Sequence, residues 1–448
     1  MKRDITILLI VSCVLLLVNL GAGSLSSWDE AVYAQVSREM FRTGDWIDLR
    51  WGGSSWSDKP PLYMWLTAFF YCFFGVNEFS ARLFSALCGM GVIIVTYLLG
   101  RKLFSRRTGL LAAIMMMSTY HFVWFSKMGT LDVAFTLFSL LSVYFFLLAG
   151  KDRVNMIYSA IAFSLAFLTK GGGALLIPIA FGLYVLVRRD WRLVVNRYTL
   201  IGAAIFLVTV GGWYFAVLRC GHDVVKGHFF QHLVHRTVTV MDGHQGNLLT
   251  YINVVLYKGK PWGFLALASL PFFIYRTLKK REFENLIIIS WILVVLFVFT
   301  AVRTKLHWYI MPVYPAMMVV AAWSADWMFG RRSVPVVAVI AFLCIVYFGV
   351  KKDIFSLDFN PEVKGFSEKV TARLAEGQDV YLYNVADPGM MYYFGGVARN
   401  VHNERLEPEL AVRKGVVIVT TKEEFDSSGV RGKLLASSGS GYVAVVTE

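Results

Sequence analysis

The sequence predicts a helical, multi-spanning membrane protein with a small carboxyl-terminal α/β domain. Hydrophobic residues make up 57% of the 448 residues and charged residues only 17%, whereas soluble domains carry roughly a quarter charged residues. Apolar runs of spanning length recur along the chain, and basic residues cluster between them. Both features are typical of a polytopic membrane protein with a bundle of transmembrane helices.

Eleven apolar segments are candidate membrane spans. The first follows Lys2 and Arg3 and could be a signal peptide, but its length and the lack of a small-residue cleavage site favour a retained span. Some segments are shorter than about 20 residues, so pairs of them could form re-entrant loops. The segments lie near 5–24, 79–100, 108–126, 132–149, 154–169, 172–187, 198–218, 262–276, 285–302, 308–328 and 334–350.

The basic clusters predict the orientation. If the amino terminus is cytoplasmic, every second connection should be rich in Lys and Arg. Each of these connections is basic, and 25–78, 219–261 and the tail after Lys351 then lie outside. The net charge of +14 therefore reflects topology and does not indicate a nucleic-acid binder. The basic residues are Arg101, Lys102, Arg106, Arg107, Lys151, Arg153, Arg188, Arg189, Arg192, Arg197, Arg276, Lys279, Lys280, Arg281, Arg331 and Arg332.

The tail has a different composition from the rest of the chain. Residues 353–448 have an ordinary charge density and short runs rich in β-branched residues. Strands are predicted at 379–384, 415–420 and 442–447, and helices at 362–376 and 387–394. We therefore predict a transmembrane domain over 1–350, with outer loops 25–78 and 219–261, and an outer α/β domain over 351–448.

Charged and aromatic residues are concentrated in the first outer loop. Asp29, Glu30 and Tyr33 lie directly after Trp28, and Asp58 and Lys59 follow later. Acids at a membrane boundary are candidates for catalysis. Alternatively, the tryptophans are interfacial anchors and the carboxylates are simply solvated. Composition alone does not separate these interpretations.

An ordered set of motifs favours the catalytic interpretation. It resembles the lipid-linked-sugar glycosyltransferases, namely the bacterial aminoarabinose transferases that modify lipid A and, more distantly, the protein O-mannosyltransferases. The chain departs from that pattern at Val32, where many members have Arg, and at Asp58, where the aminoarabinose enzymes commonly have Glu. The motifs are DEAVYA from Asp29, Gly44-Asp45-Trp46, Asp58-Lys59-Pro60-Pro61-Leu62, Asn77 to Leu83, Leu168 to Gly171, Lys260 to Trp262 and Lys305 to Pro312.

The resemblance implies a membrane-embedded fold of the GT-C type. It also implies transfer of one sugar from a polyprenyl-phosphate donor to lipid A, another glycan or a protein. Such a site needs a carboxylate for the acceptor and cations for the departing phosphate. Asp29 is the predicted acceptor-side carboxylate, with Glu30 ranked below it. Lys59 is the predicted phosphate ligand. Asp132, which opens an apolar span, is a second catalytic candidate; its alternatives are a helix cap or an ion pair with Lys127.

The other predicted substrate-binding residues are Tyr33, Lys170, Arg303, Lys305 and Tyr309. Paired cations such as Arg303 and Lys305 on an outer loop suit a lipid phosphate, although anionic headgroups are an alternative. Lys170 precedes three glycines, which could either approach a phosphate or form a tight turn.

A divalent metal is a further possibility. The outer loop 219–261 contains His228 and His232, spaced as one helical face. Some relatives bind metal through the acid before the loop lysine and a histidine in this region, which would pair Asp58 with His232 or His228. Histidines at this spacing are also common without metal.

A transporter or flippase and a glycan ligase are the competing functions. Transporters usually carry inverted repeats and charges near mid-span, whereas these charges gather at the outer ends of the spans. The resemblance implies a bacterial inner membrane, with the site and tail in the periplasm. The charge pattern by itself also fits an archaeal or Gram-positive plasma membrane.

Overall fold

The computed structural model describes residues 1–221, 245–375, 378–385, 387–395, 398–401, 415–428 and 431–447. Over these residues the chain is mainly helical, and a mixed sheet lies near its carboxyl terminus, so the predicted fold class is confirmed. The chain divides into two compact units. The first comprises Met1–Val18, Ser57–Tyr63 and Leu83–Phe355, and the second Asn19–Trp56, Met64–Arg82 and Ser356–Glu448. The predicted boundary near residue 350 stays a prediction.

Helices occupy parts of all eleven predicted segments. Six helical runs of the described residues are long and apolar enough to cross a membrane, or seven if one bent pair counts as a span. Two of these runs, Asn155–Arg188 and His307–Lys352, cover two predicted segments each, so the six runs account for eight of the eleven segments. Segment 108–126 corresponds to the bent pair, and the helices in segments 5–24 and 262–276 are not among the six. An apolar helix at Leu62–Phe74, placed by the sequence analysis inside an outer loop, is too short for a full span.

The α-helices are numbered here in chain order over the described residues. Short 3-10 helices at Gly171–Leu175 and His307–Val313 interrupt the series. The bounds are α1 Lys2–Leu17, α2 Asp29–Thr43, α3 Leu62–Phe74, α4 Glu78–Leu103, α5 Arg106–Met117, α6 Tyr120–Lys127, α7 Leu131–Ala149, α8 Asn155–Lys170, α9 Leu176–Arg188, α10 Arg197–Phe206, α11 Gly212–Arg219, α12 Thr250–Lys258, α13 Trp262–Lys280, α14 Leu286–Ala301, α15 Tyr314–Phe329, α16 Ser333–Lys352, α17 Pro361–Thr371, α18 Pro388–Phe394 and α19 Lys422–Ser428.

Basic residues predicted to be cytoplasmic have acidic partners in the first unit. Arg106 pairs with Asp4 at 2.6 Å, and the Tyr97 hydroxyl donates to the same carboxylate at 2.7 Å. Arg107 pairs with Asp326 at 2.9 Å. These bonds connect α1, α4, α5 and α15 at one end of the unit, where a buried acid needs a cationic partner.

The second unit contains a five-stranded mixed sheet. Its strand order is β4-β3-β5-β7-β6, with β3 parallel to β4 and β5, and β7 antiparallel to β5 and β6. A small hairpin, β1 and β2, precedes it. The three predicted strands and two predicted helices are confirmed, while β4, β6 and α19 were missed. The strand bounds are β1 Arg50–Trp51, β2 Ser54–Ser55, β3 Val380–Tyr383, β4 Ala398–Val401, β5 Val417–Thr421, β6 Gly432–Ser437 and β7 Tyr442–Thr447.

Apolar residues on one face of this sheet form the core of the second unit. Val380 and Leu382 of β3 pack with Val417 of β5 and with Phe366 of α17, and all four are almost fully buried. One face of β3 therefore packs against the apolar face of α17. This is the arrangement expected for a small α/β domain.

Candidate active site

A buried ion pair lies at one end of α7 in the first unit. The Lys170 ammonium and the Asp132 carboxylate are 2.5 Å apart, and their side chains are 12% and 3% exposed. Asp132 is the second residue of α7, whose cap position is Thr130, and Lys170 is the last residue of α8. The partner of Asp132 is thus a lysine on the adjacent helix, and the alternative of a helix cap is wrong.

The second alternative for Asp132 was an ion pair with Lys127. In the structure, Asp132 forms its ion pair with Lys170 instead. The Lys127 ammonium donates to the carbonyl of Val18 at 2.6 Å and lies 5.5 Å from the Phe355 ring centre. Asp132 and Lys127 are close in sequence, whereas Lys170 comes from the next helix of the packed α7 and α8 pair.

Two aromatic rings flank the Lys170 ammonium. It lies 4.8 Å from the centre of the Tyr309 ring and 5.4 Å from that of Phe135. A lysine over an aromatic face is attracted by the ring quadrupole. Tyr309 belongs to the 3-10 helix His307–Val313, so three segments distant in sequence meet at this cation. Lys170, Asp132 and Tyr309, all predicted site residues, are therefore brought together.

The motif containing Lys59 approaches the same place. A methyl group built on Gly171, directly after Lys170, would lie 3.5 Å from Cγ of Pro60. Lys59 directly precedes that proline, is partly exposed, and donates to the Asp58 carbonyl at 3.2 Å. The turn after α8 and the Asp58-Lys59-Pro60 segment are consequently in van der Waals reach of each other.

Gly171 has a backbone conformation that favours glycine. Its φ is +56° and its ψ −129°, a combination that strains any L side chain. Gly171→Ala should lower the stability by about 1–3 kcal/mol, seen as a lower melting temperature of the purified protein. Gly182→Ala is the matched control, since a methyl group there meets nothing within 4 Å. Equal melting of the two variants would contradict this account.

Lys305 and Arg303 border an open pocket of about 410 Å³. The Lys305 ammonium donates to the carbonyls of Thr300 at 2.7 Å and Val302 at 2.6 Å, at the carboxyl-terminal end of α14. Desolvation lowers the pKa of this lysine. Arg303 is exposed at the pocket rim. The Lys305 ammonium is thus already hydrogen-bonded to two backbone carbonyls. Phosphate binding by Lys305 or Arg303 stays a prediction.

Asp29, Glu30 and Tyr33 belong to the second unit. Asp29 is the first residue of α2 and is partly exposed. Tyr33 is 3% exposed, and its ring lies edge-on to that of Trp56, 6.1 Å away. Glu30 differs from both, because its side chain is fully buried and bound to Arg82 at 2.7 Å. A structural role explains Glu30 better than the predicted substrate contact.

Arg82 lies within the motif from Asn77 to Leu83, but the sequence alone assigned it no role. Its guanidinium donates to Glu30 and to the carbonyls of Leu20, Gly23, Ser24 and Leu357. An arginine near the start of an apolar helix requires a buried acid or carbonyl partners. This requirement could have predicted from the sequence that Arg82 has a buried acidic partner, which the structure shows to be Glu30.

The predicted metal ligands are only partly described. His228 and His232 lie outside the described residues, and Asp58 is exposed. Among the residues that the structure describes, no group of three or more His, Cys, Asp or Glu side chains could hold a metal ion. A metal held by Asp58 with His232 or His228 stays a prediction.

Comparisons with known proteins agree with this fold and these motifs. The family model for dolichyl-phosphate-mannose-protein mannosyltransferase matches residues 58–214. An uncharacterised protein of Aquifex aeolicus is 28% identical over 94% of each chain. The undecaprenyl phosphate-alpha-4-amino-4-deoxy-L-arabinose arabinosyl transferase of Pseudomonas aeruginosa is 30% identical over 69% of this chain, which spans 57% of that transferase.

A solved structure shows the same fold over nearly the whole length. It is that of ArnT from Cupriavidus metallidurans bound to undecaprenyl phosphate, with a TM-score of 0.86, 20% identity, and coverage of 98% of this chain and 97% of that one. Fold and motifs together define the class as multi-span membrane glycosyltransferases that draw sugars from polyprenyl-phosphate carriers. Within that class, residues 58–214 are similar to the dolichyl-phosphate-mannose-protein mannosyltransferase family.

Proposed function

We propose that this protein transfers one sugar from an undecaprenyl-phosphate carrier to an acceptor at the outer face of a bacterial inner membrane. The observation that carries the proposal is the Asp132–Lys170 pair, with Tyr309 against it and the Lys59 motif beside it. A buried carboxylate that fixes a partly exposed lysine provides an oriented cation. An oriented cation is what a departing phosphate requires.

The reaction is a displacement at the anomeric carbon. A bond forms from an acceptor oxygen to that carbon, the bond from the carbon to the phosphate oxygen breaks, and its electron pair leaves with the lipid phosphate. Lys59 and Lys170 donate to the phosphate oxygens as their negative charge grows. Asp132 holds the ammonium of Lys170 in place, and Tyr309 limits its movement.

Asp29 is the proposed acceptor-side carboxylate. If the acceptor is a hydroxyl, this carboxylate takes its proton as a general base. If the acceptor is a phosphate of lipid A, no proton has to be removed, and Asp29 orients the attacking group. Its place at the first turn of α2, with a partly exposed side chain, is compatible with either role.

The proposed sugar donor, the proposed acceptor and the membrane orientation are supported by different observations. The curated relative uses undecaprenyl phosphate aminoarabinose, as its name states, and this sugar on lipid A is the first pairing to test. Another glycan or a protein is the alternative acceptor. The periplasmic orientation is supported by the basic clusters. In one of them, Arg106 and Arg107 have the acidic partners Asp4 and Asp326.

A transfer assay tests the proposed function. Radiolabelled aminoarabinose and mannose on polyprenyl phosphate are offered with a bacterial membrane extract, and the labelled acceptor is identified by mass spectrometry. Asp29→Asn should reduce transfer about 100- to 10,000-fold. Asp353→Asn, the same change at an exposed aspartate, should transfer like the wild type. Folded wild type that moves no label but carries lipid-linked sugar across vesicles would establish the transporter function instead.

A further inference from the structure

The short helix that carries Tyr309 is held by side chains from other elements. It is a 3-10 helix over His307–Val313, a conformation with poorer hydrogen-bond geometry than an α-helix. The Tyr251 hydroxyl donates to the Leu306 carbonyl at 3.2 Å, and the Trp291 ring N–H donates to the Pro312 carbonyl at 2.6 Å. Both ends of the segment are thereby attached to neighbouring helices.

A buried chain of hydrogen bonds adds a third attachment. His121 Nδ1 lies 2.8 Å from the Tyr314 hydroxyl, and His121 Nε2 lies 3.0 Å from His307 Nδ1. His121 is 1% and Tyr314 0% exposed. The chain joins α6 to the first residue of the 3-10 helix and to the first residue of α15.

The direction of these hydrogen bonds, from donor to acceptor, follows from which groups can donate a proton. A buried tyrosine hydroxyl needs an acceptor, and Nδ1 of His121 is the recorded partner of Tyr314. A neutral imidazole has one donor and one acceptor nitrogen, so His121 then carries its proton on Nε2. That proton is donated to Nδ1 of His307, which acts as the acceptor.

We infer that His307 is a positioning residue for sugar transfer, because its bond to His121 fixes the 3-10 helix that holds the Tyr309 ring against the Lys170 ammonium. The inference rests on the proposed function for the consequence to catalysis. Tyr309 is two residues from His307, and its ring lies 4.8 Å from the cation. Displacing this segment removes one wall beside Lys170, which changes the orientation of the cation that receives the phosphate.

Loss of the bond should affect turnover more than donor affinity. A misplacement of about 1 Å at a catalytic group can reduce the rate roughly 100-fold, while the lipid tail and sugar keep their own contacts. The packing of the His307 ring against Phe125 at 5.7 Å and Trp308 at 4.8 Å can be retained in part by any large side chain. Hydrogen bonding and packing are therefore separable by substitution.

Three variants of the full-length protein make the test. His307→Asn keeps an acceptor near the position of Nδ1, His307→Leu keeps apolar volume without an acceptor, and Tyr314→Phe removes only the hydroxyl at the far end. Kinetics use undecaprenyl-phosphate aminoarabinose as the probe donor and lipid A as the probe acceptor. Amide hydrogen exchange of residues 305–313, measured without any substrate, reports the positioning independently of activity.

For His307→Leu we expect kcat to fall roughly 10- to 100-fold with KM for the donor nearly unchanged, and faster exchange in residues 305–313. His307→Asn should stay within a few-fold of the wild type in both measurements, and Tyr314→Phe should fall between them. Equal losses in His307→Asn and His307→Leu, or unchanged exchange in His307→Leu, would overturn the inference. Faster exchange in His307→Leu with an inactive wild type supports the positioning and counts against the proposed function alone.

Discussion

Asp132→Asn is expected to reduce sugar transfer by roughly 100- to 1,000-fold, the range found when one oriented electrostatic partner is removed from an active site. Asparagine has nearly the same shape and can still accept a hydrogen bond from Lys170. It lacks the negative charge that holds this ammonium, which is only 12% exposed. The lysine then has no fixed counter-charge and loses its orientation toward the phosphate. Initial rates of transfer at saturating donor measure the effect.

A double variant separates catalysis from stability at this pair. Asp132→Asn leaves a largely buried cation uncompensated, so it should also lower the melting temperature. Asp132→Asn combined with Lys170→Met removes both charges and should recover much of that stability. Transfer should stay as low as in the single variant. If Asp132→Asn transfers within a few-fold of the wild type, the pair has only a structural role.

The sequence pointed to both residues of this ion pair but not to their contact. Asp132 and Lys170 both stood out as charges at the predicted outer ends of apolar segments. Their contact depends on how α7 and α8 pack, and 38 residues separate them, so proximity in sequence favoured Lys127 as the partner. Tyr309 was found through its motif. His307 lies in the same motif but could not be assigned a role from it, because its bond to a buried histidine on α6 exists only after folding.

The limits of the fold prediction have similar causes. Apolar length locates helices well, but where a helix breaks depends on local geometry. At Gly171 the backbone turns through a conformation open to glycine, and α5 and α6 meet at 64°. In the tail, β3, β5 and β7 are rich in β-branched and aromatic residues and were predicted. The four residues of β4 and the leucine pair of β6 offer no comparable pattern.

Arg82→Leu is expected to have the largest effect on stability. Its guanidinium is fully buried in the second unit, as is the Glu30 carboxylate. Removing one partner of a buried pair costs about 3–5 kcal/mol, because the other charge stays desolvated. Here the carbonyls of Leu20, Gly23, Ser24 and Leu357 lose their donor as well. We therefore expect a strongly lowered melting temperature and faster hydrogen exchange in residues 19–30 and 356–360.

Arg50→Leu provides the matched control for this substitution. Arg50 also pairs with a carboxylate in the second unit, that of Asp48 at 2.9 Å, but the Arg50 side chain is 47% exposed. The Asp48 side chain is 4% exposed and also accepts from the Ser55 hydroxyl at 3.3 Å, so it keeps a donor when Arg50 is replaced. This variant should therefore lower the melting temperature much less than Arg82→Leu. Glu30→Gln should fall between the two, since an amide oxygen can still accept from Arg82. If Arg82→Leu melted like Arg50→Leu, the buried pair would not hold the second unit together, and Glu30 would again be a candidate for substrate binding.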